Sequence, residues 1–160
     1  MSGLRLSGVT FAYGAKQALR DVSFDVPEGR FCALLGPNGA GKSTLFALMT
    51  RLFTTAEGAI RVAGHDLNRR PLDALGAMGV VFQQQTLDLD LSVYRNLAYY
   101  AALQGLSRRE ARPRIDAALE RLGMAERAGE RARDLNGGHR RRTEIARALI
   151  HRPSVLLLDE

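Results

Sequence analysis

The stretch that decides the fold is Gly36-Pro37-Asn38-Gly39-Ala40-Gly41-Lys42-Ser43-Thr44, a match to the pattern G-x-x-x-x-G-K-[ST]. It follows the apolar run Phe31–Leu35, which predicts a buried strand, and it leads into Ser43–Leu52, whose apolar residues recur at helical spacing. Glycines in this pattern let successive backbone N–H groups converge on phosphate oxygens at the positive end of the helix. Strand, loop and helix together predict a site for a nucleoside triphosphate, with an unliganded glycine-rich turn as the alternative.

Two side chains of this loop are predicted to act on the phosphates and their metal. Lys42 reaches the terminal phosphates, and the hydroxyl of Ser43 is placed to ligate magnesium. The other residues of Gly36–Thr44 are predicted to bind the cofactor mainly through the loop backbone.

Length and composition fit one domain. The chain has 160 residues, of which 46% are hydrophobic, which allows a real core but no second full domain. No apolar run approaches the roughly 18 residues that a membrane-spanning helix needs, and the N-terminus has no export signal. We therefore expect a soluble, cytoplasmic protein. The single cysteine, Cys32, excludes a disulfide framework and is predicted to be a small buried residue.

The net charge of +6 does not by itself identify a partner. Only Lys16 and Lys42 among the 23 basic residues are lysine, so the excess is an arginine bias spread along the chain. The densest cluster, Arg140–Arg142, is interpreted as a solvated helix face or an interface. No nucleic acid partner is expected.

Strand patterns dominate the first half of the chain. Leu4–Phe11 reads as a strand, and Val22, Phe24 and Val26 alternate at period two before a turn. The runs 59–62 and 78–82 are also predicted strands, with a turn at 64–66 between them.

Helical patterns dominate from Leu91 to Gly123. Ser92 is a predicted cap, and Gly105 a predicted stop. Ser107 and Glu110 have capping-box spacing, whereas Pro113 should kink or restart that helix. A third helix is predicted over His139–His151, and 155–158 reads as an apolar strand.

These elements predict an α/β fold of the phosphate-loop type. A strand before the loop and a second apolar strand ending in Asp159 imply a mostly parallel sheet flanked by helices, with ligand at the strand C-termini. The opening β region should be antiparallel. We predict a single domain over 1–160, with residues 1–84 as the core, 85–145 as an inserted helical subdomain and 146–160 as a return to the core.

Two carboxylates close the chain. Asp159 follows four apolar residues, so it should emerge at a strand tip and hold magnesium or its water beside Ser43. Glu160 is one residue further along, where it can polarise the attacking water as a general base. The predicted catalytic residues are therefore Glu160 and Lys42. The alternative, an ordinary exposed terminus, explains less once the phosphate loop is present.

The segment Leu135–Arg142, LNGGHRRR, makes the pattern specific: the chain resembles the ATP-binding domain of ABC transporters. The segment Ser92–Leu97, the stop at Leu103–Leu106 and the basic run after residue 139 are most similar to bacterial exporters of the ABC-2 type. The resemblance implies ATP and Mg²⁺ as cofactors and an ATP hydrolase activity. It places Tyr13 where an aromatic stacks on adenine, and Gln83 in a glutamine loop that contacts magnesium and couples nucleotide to the transport subunit. It implies that Asn136, Gly137 and Gly138 reach ATP held by the other subunit of a head-to-tail homodimer.

The sequence departs from the family pattern in two places. The family's signature is a Leu-Ser-Gly-Gly-Gln loop, and here Asn136 replaces its serine and His139 its glutamine. An asparagine amide can still donate a hydrogen bond. The histidines at 65, 139 and 151 all precede Glu160, so none has the position of the family's switch histidine. We expect a C-terminally incomplete chain that is unstable and inactive alone.

The function implied by the resemblance is that of an ATP-binding subunit, peripheral on the cytoplasmic face of the inner membrane. It would drive transport, in the export direction, by a separate polytopic membrane permease. Alternatives are a non-transport ABC ATPase acting on ribosomes or DNA, and a catalytically inactive fragment. A small-molecule kinase would explain Lys42 but not Gln83 or Leu135–Arg142.

Overall fold

The described residues, 2–55 and 57–159 of a computed structural model, fall into two compact units. The first unit ends at Met78 and also takes in Asp159, and the second covers Gly79–Leu158. Glu160, the predicted general base, lies outside the described residues.

The first unit is built on an antiparallel four-stranded sheet. Its strands are β1 (Ser2–Tyr13), β2 (Lys16–Pro27), β3 (Glu57–Val62) and β4 (His65–Asp66), in the order β2-β1-β3-β4. The strands predicted for 4–11, 22–26 and 59–62 are confirmed. The predicted turn at 64–66 is wrong in detail, because His65 already pairs with Val62 and the chain turns at Ala63 and Gly64.

One face of this sheet carries the core of the first unit. Alternate residues of the strands, such as Leu4, Leu6, Ile60 and Val62, are buried, whereas Arg5 between them is exposed. This is the period-two pattern of a sheet with one covered face.

Helix α1 (Lys42–Met49) follows the phosphate loop and is buried over nearly its whole length. The buried positions run without a break from Thr44 to Met49, so this part of the helix has no polar face. Leu52 lies beyond the helix end and is exposed. A helix this short and this apolar is an internal element, in agreement with its place directly after the loop.

The prediction of a buried strand over Phe31–Leu35 is wrong. Within the described part of the chain this segment carries no strand, and Phe31 and Leu35 are 90% and 92% exposed. Cys32, predicted to be buried, is exposed as well. A strand forms only where a neighbouring strand can pair with its N–H and C=O groups. No described strand pairs with residues 31–35.

The second unit joins a small sheet to a group of helices. Its elements are β5 (Met78–Val81), α3 (Val93–Leu103), α4 (Arg108–Arg121), α5 (Gly137–Leu149) and β6 (Val155–Leu158), with short 3₁₀ turns at Ala125–Arg127 and Ala132–Asp134. Strands β5 and β6 pair in a separate two-stranded sheet. The remaining helix, α2 (Pro71–Gly76), belongs to the first unit and begins with proline at its first position.

The three helices of the second unit share one apolar core. The buried residues that form it are Val93, Leu97, Ala101, Ala111, Ile115, Leu119, Met124, Leu135, Ala146 and Ile150. Truncation of a buried leucine or isoleucine in such a core costs about 2 to 5 kcal/mol. This core therefore keeps α5 fixed against α3 and α4.

The predicted helix boundaries are confirmed where local side chains set them. Ser92 caps α3 by accepting a hydrogen bond from Arg95 N, and Ser107 and Glu110 form the capping box of α4. Gly105 ends α3 with a positive φ of 77°. Of the predicted kink or restart at Pro113, the restart is wrong, because α4 runs through this residue as one helix. The exposed first turns leave the lost hydrogen bond to water, and a kink stays a prediction.

No helix in the described ranges is long and apolar enough to pass through a membrane.

Candidate functional site

The phosphate loop turns sharply into α1 at a position that only glycine fits. Gly41 has φ of 91°, and a Cβ built on it would lie 2.7 Å from Leu19 Cδ2 and 2.8 Å from Ala18 O. Both the backbone conformation and the neighbouring strand β2 therefore exclude a side chain here. This close approach fixes where α1 starts relative to the sheet.

The start of α1 has the properties of an anion site. The helix has no side-chain cap at Gly41 and no acidic residue in its first turn. The first N–H groups of a helix have no partner within the helix, and its dipole favours a negative charge at this end. The residues present thus fit a phosphate group.

Lys42 folds back over the loop that precedes it. Its Nζ atom donates to Gly36 O at 2.5 Å and to Pro37 O at 3.0 Å. The ammonium group therefore lies across the loop of residues 36–41, where it can exchange backbone carbonyl oxygens for phosphate oxygens. No side chain of opposite charge is needed to hold it in this position.

The two hydroxyl residues of the loop have different environments. Ser43 is exposed. Thr44 is buried, and its Oγ1 lies 3.2 Å from the hydroxyl of Tyr13. The first residues of α1 are thus tied to the end of β1.

Tyr13 belongs to a small aromatic group at the end of β1. Its ring meets those of Phe11 and Phe53 edge-on, at 5.0 Å and 5.7 Å between centroids, and Phe11 stacks on Phe53. Tyr13 remains 47% exposed. The neighbouring rings hold Tyr13 in place while leaving part of its surface accessible.

In the second unit, Gln83 follows β5 in an exposed bend. The carbonyl oxygen of the preceding Phe82 accepts a hydrogen bond from Arg141 Nη1 at 2.5 Å. A Cβ on Gly79 would lie 2.5 Å from Ala148 O, so α5 packs directly on β5. These contacts place the segment that contains Gln83 along α5.

The segment Leu135–Arg142, called the signature segment below, includes the start of α5. Asn136 is the N-cap, and its Oδ1 accepts a hydrogen bond from His139 N at 2.8 Å. This oxygen leaves the side-chain NH₂ as the donor group of Asn136. Asn136, Gly137 and Gly138 are exposed, and a Cβ on Gly137 would meet no atom within 4 Å. The loop has room for a ligand against its backbone.

Asp159 follows directly after β6, as expected of a strand-tip carboxylate, and is half-buried. Glu160 is outside the described residues, so its role remains a prediction.

The structure brings the predicted residues into two groups. Tyr13 and the phosphate loop lie together in the first unit, through the contact of Tyr13 with Thr44. Gln83 and the signature segment lie in the second unit, both against α5. Sequence reasoning missed Glu144, a buried carboxylate within α5 that joins these latter elements. The available signal was a carboxylate two residues after the arginine cluster Arg140–Arg142.

Comparison with known proteins gives a consistent result. A family described as ABC transporter matches residues 19–160. The chain is 35% identical to the linearmycin resistance ATP-binding protein LnrL of Bacillus subtilis and 40% identical to the Nod factor export ATP-binding protein I of Cupriavidus pinatubonensis. These matches cover 98% of this chain in each case, and 50% and 48% of the relatives. The chain thus spans about half the length of the curated relatives it matches.

Import proteins match as well. The spermidine/putrescine import ATP-binding protein PotA of Bacteroides fragilis is 35% identical, over 98% of this chain and 34% of that protein. Among solved structures, cbiO1 from Clostridium perfringens, part of the ABC transporter complex cbiONQ, aligns with a TM-score of 0.88 and 30% identity. That alignment covers 99% of this chain and 65% of cbiO1. The predicted fold class is confirmed.

Proposed function

This chain belongs to the ABC transporter family, and from that premise we propose that it binds and hydrolyses ATP to drive transport by a separate membrane subunit. The observation that carries the proposal is the start of α1, where Gly41 admits no side chain and the helix has neither a cap nor an acid in its first turn. Such a helix start favours phosphate.

The residues of the two units have distinct roles in this proposal. Lys42 binds the terminal phosphates in place of the carbonyl oxygens it now contacts. Ser43, Gln83 and Asp159 would hold Mg²⁺, and the bound ion would supply positive charge that offsets the charge of the phosphates. Glu160 orients the attacking water and accepts its proton. Tyr13 stacks on the adenine, an interaction worth about 1 to 3 kcal/mol.

The signature segment acts on a second copy of the protein. We place Asn136, Gly137 and Gly138 against the γ-phosphate bound by the other subunit of a head-to-tail homodimer. The exposed backbone at Gly137 and the donor NH₂ group of Asn136 support this contact. Two such contacts, related by the dimer axis, would complete two ATP sites.

The membrane partner is a polytopic permease, and the protein would act on the cytoplasmic face of the inner membrane. Export is the favoured direction, because LnrL and the Nod factor protein carry resistance and export in their names, although PotA carries import.

We further propose that residues 1–84 and 146–160 form the nucleotide core and 85–145 a helical subdomain. Nucleic acid has no part in this function.

The test compares the two lysines of the chain. Lys42→Ala should abolish ATP binding and hydrolysis, because it removes the cation that reaches the phosphates. Both lysines are partly or fully exposed, so neither change should alter the free energy of unfolding by more than about 0.5 kcal/mol. Lys16→Ala is the matched control and should hydrolyse ATP normally. ATP turnover is measured on the protein at its native length, together with its permease. Equal turnover by Lys42→Ala and wild type would refute the proposed function.

A further inference from the structure

Glu144 is the one charged residue in the fully buried set of the described chain, at 1% exposure. A buried carboxylate is costly unless hydrogen bonds and opposite charges compensate it. Natural cores rarely keep such a group without a reason. Its partners therefore indicate what it does.

Both carboxylate oxygens of Glu144 have partners within the second unit. Oε1 accepts hydrogen bonds from Thr86 N at 2.8 Å and from Thr86 Oγ1 at 3.2 Å. Oε2 lies 3.5 Å from Arg141 Nη1. Glu144 thus joins α5 to the end of the segment Phe82–Thr86, which contains Gln83 and is called the glutamine segment below.

Three arginines of α5 donate hydrogen bonds to the same segment. Arg140 donates to Gln85 Oε1 at 3.2 Å, and Arg141 donates to Phe82 O at 2.5 Å. Arg147 donates to Thr86 O at 2.9 Å and also to Thr86 Oγ1. Together with Glu144 these side chains occupy positions i, i+1, i+4 and i+7 of the helix, which share one face. We refer to the four as the clamp.

The carboxylate of Glu144 supplies two properties that the arginines of the clamp lack. It is an acceptor for the N–H and hydroxyl of Thr86, and it is the negative charge among three guanidinium groups. Burial lowers the pKa of Arg147, and the charge of Glu144 opposes that shift. Without Glu144, the glutamine segment would face positive charge only.

The same helix presents the signature segment at its start. Asn136 caps α5, and Arg140 also donates to Ala132 O and Arg133 O, at 2.9 Å and 2.7 Å, just before that cap. One helix therefore holds the glutamine segment on its side and the signature residues at its end.

We propose that Glu144 is a positioning residue, which locks the glutamine segment to α5 so that Gln83 and the signature residue Asn136 move as one piece. This inference rests on the function proposed above and adds a device to it. Because Glu144 is buried against Thr86 and Arg141, we assign it no contact with nucleotide. Glu144 fixes the position of Gln83 against α5. Because Asn136 lies at the start of the same helix, Gln83 and Asn136 would reach their sites together.

The test uses Glu144→Ala in the protein at its native length and in complex with its permease, with Glu120→Ala on the exposed face of α4 as the control. The first measurement is hydrogen exchange. The amide of Thr86 should exchange about tenfold or more faster in Glu144→Ala than in wild type, because its acceptor is lost. Glu144→Gln, which keeps an acceptor oxygen, should restore most of the protection.

The second measurement separates ATP binding from turnover. Glu144→Ala should bind ATP with an unchanged Kd, because the phosphate loop is untouched, whereas kcat should fall about ten- to a hundredfold. Glu144→Gln should recover most of kcat. Thr86→Ala, at an exposed residue, keeps the fold and removes only the hydroxyl contacts, so its kcat should fall severalfold.

The possible outcomes are distinct. Failure of wild type to bind ATP would defeat the proposed function itself. Normal ATP binding and turnover in Thr86→Ala and Glu144→Gln, with faster exchange at Thr86 in Glu144→Ala but no loss of kcat, would make Glu144 a merely structural residue and overturn the inference. Faster exchange with a selective loss of kcat would support it.

Discussion

At the residue scale, Gly41 combines two constraints that are usually separate. Its φ of 91° disfavours any L side chain, and a Cβ would collide with Leu19 and with Ala18 O of the neighbouring strand. The backbone oxygen has little freedom to move away. The position of α1, and with it the donor groups at its start, depends on this contact.

We expect Gly41→Ala to displace the loop and to abolish ATP binding. The left-handed conformation alone costs about 1 to 2 kcal/mol for a non-glycine residue, and the collision adds to this. Gly64→Ala is the control, because Gly64 has a similar φ of 83° with open space around it. It should lose similar backbone energy in a thermal melt and retain ATP binding. ATP binding by Gly41→Ala at the wild-type level would show that the loop tolerates the displacement.

At the element scale, the capping box of α4 links helix stability to pH. Hydrogen bonds from the hydroxyl and the backbone N–H of Ser107 lower the pKa of Glu110. A carboxyl whose pKa is lower in the folded state stabilises the fold above its unfolded pKa and loses that contribution as pH falls through the folded value.

Ser107→Ala should lower the free energy of unfolding by about 1 kcal/mol at neutral pH, the usual cost of removing a serine cap. The difference between wild type and Ser107→Ala should shrink in acid, as Glu110 becomes protonated in both proteins. Chemical denaturation at neutral and acid pH measures this. A difference that is constant across the pH range would show that the charge of Glu110 does not contribute.

The start of α5 has a double role, because Asn136 both caps the helix and is proposed to contact ATP. Asn136→Asp separates the two. Aspartate is as good a cap as asparagine, so the melting temperature should stay unchanged. The carboxylate has no donor and would repel phosphate, so ATP-driven dimerisation should be lost. Normal dimerisation of Asn136→Asp on ATP addition would discard the contact in trans.

At the scale of the whole molecule, a head-to-tail dimer predicts complementation between two inactive variants. Each site would use Lys42 from one copy and Asn136 from the other. Mixing Lys42→Ala with Asn136→Asp places both defects in one site of each mixed dimer and leaves the second site intact. Random assembly should restore about a quarter of wild-type turnover. No turnover in the mixture would argue against sites shared between subunits.

Much of the fold was predictable from local pattern. Strands β1 to β3 follow from alternating apolar residues, and the starts of α3 and α4 follow from Ser92 and Ser107, whose hydrogen bonds reach only three residues along the chain. The phosphate loop was found in the same way. The run Phe31–Leu35 shows the limit of prediction from local pattern. Its composition is that of a strand, but the structure gives it no neighbouring strand.

The sequence by itself determined the phosphate loop, the caps Ser92 and Ser107 and the location of strands β1 to β3, because each depends on residues close together in the chain. Only the tertiary structure decided that Phe31–Leu35 is exposed, because a strand exists only beside a partner. It alone revealed the clamp, because Glu144 and Thr86 are separated by 58 residues. Contacts over that distance come from the packing of whole elements, which no local pattern of residues encodes.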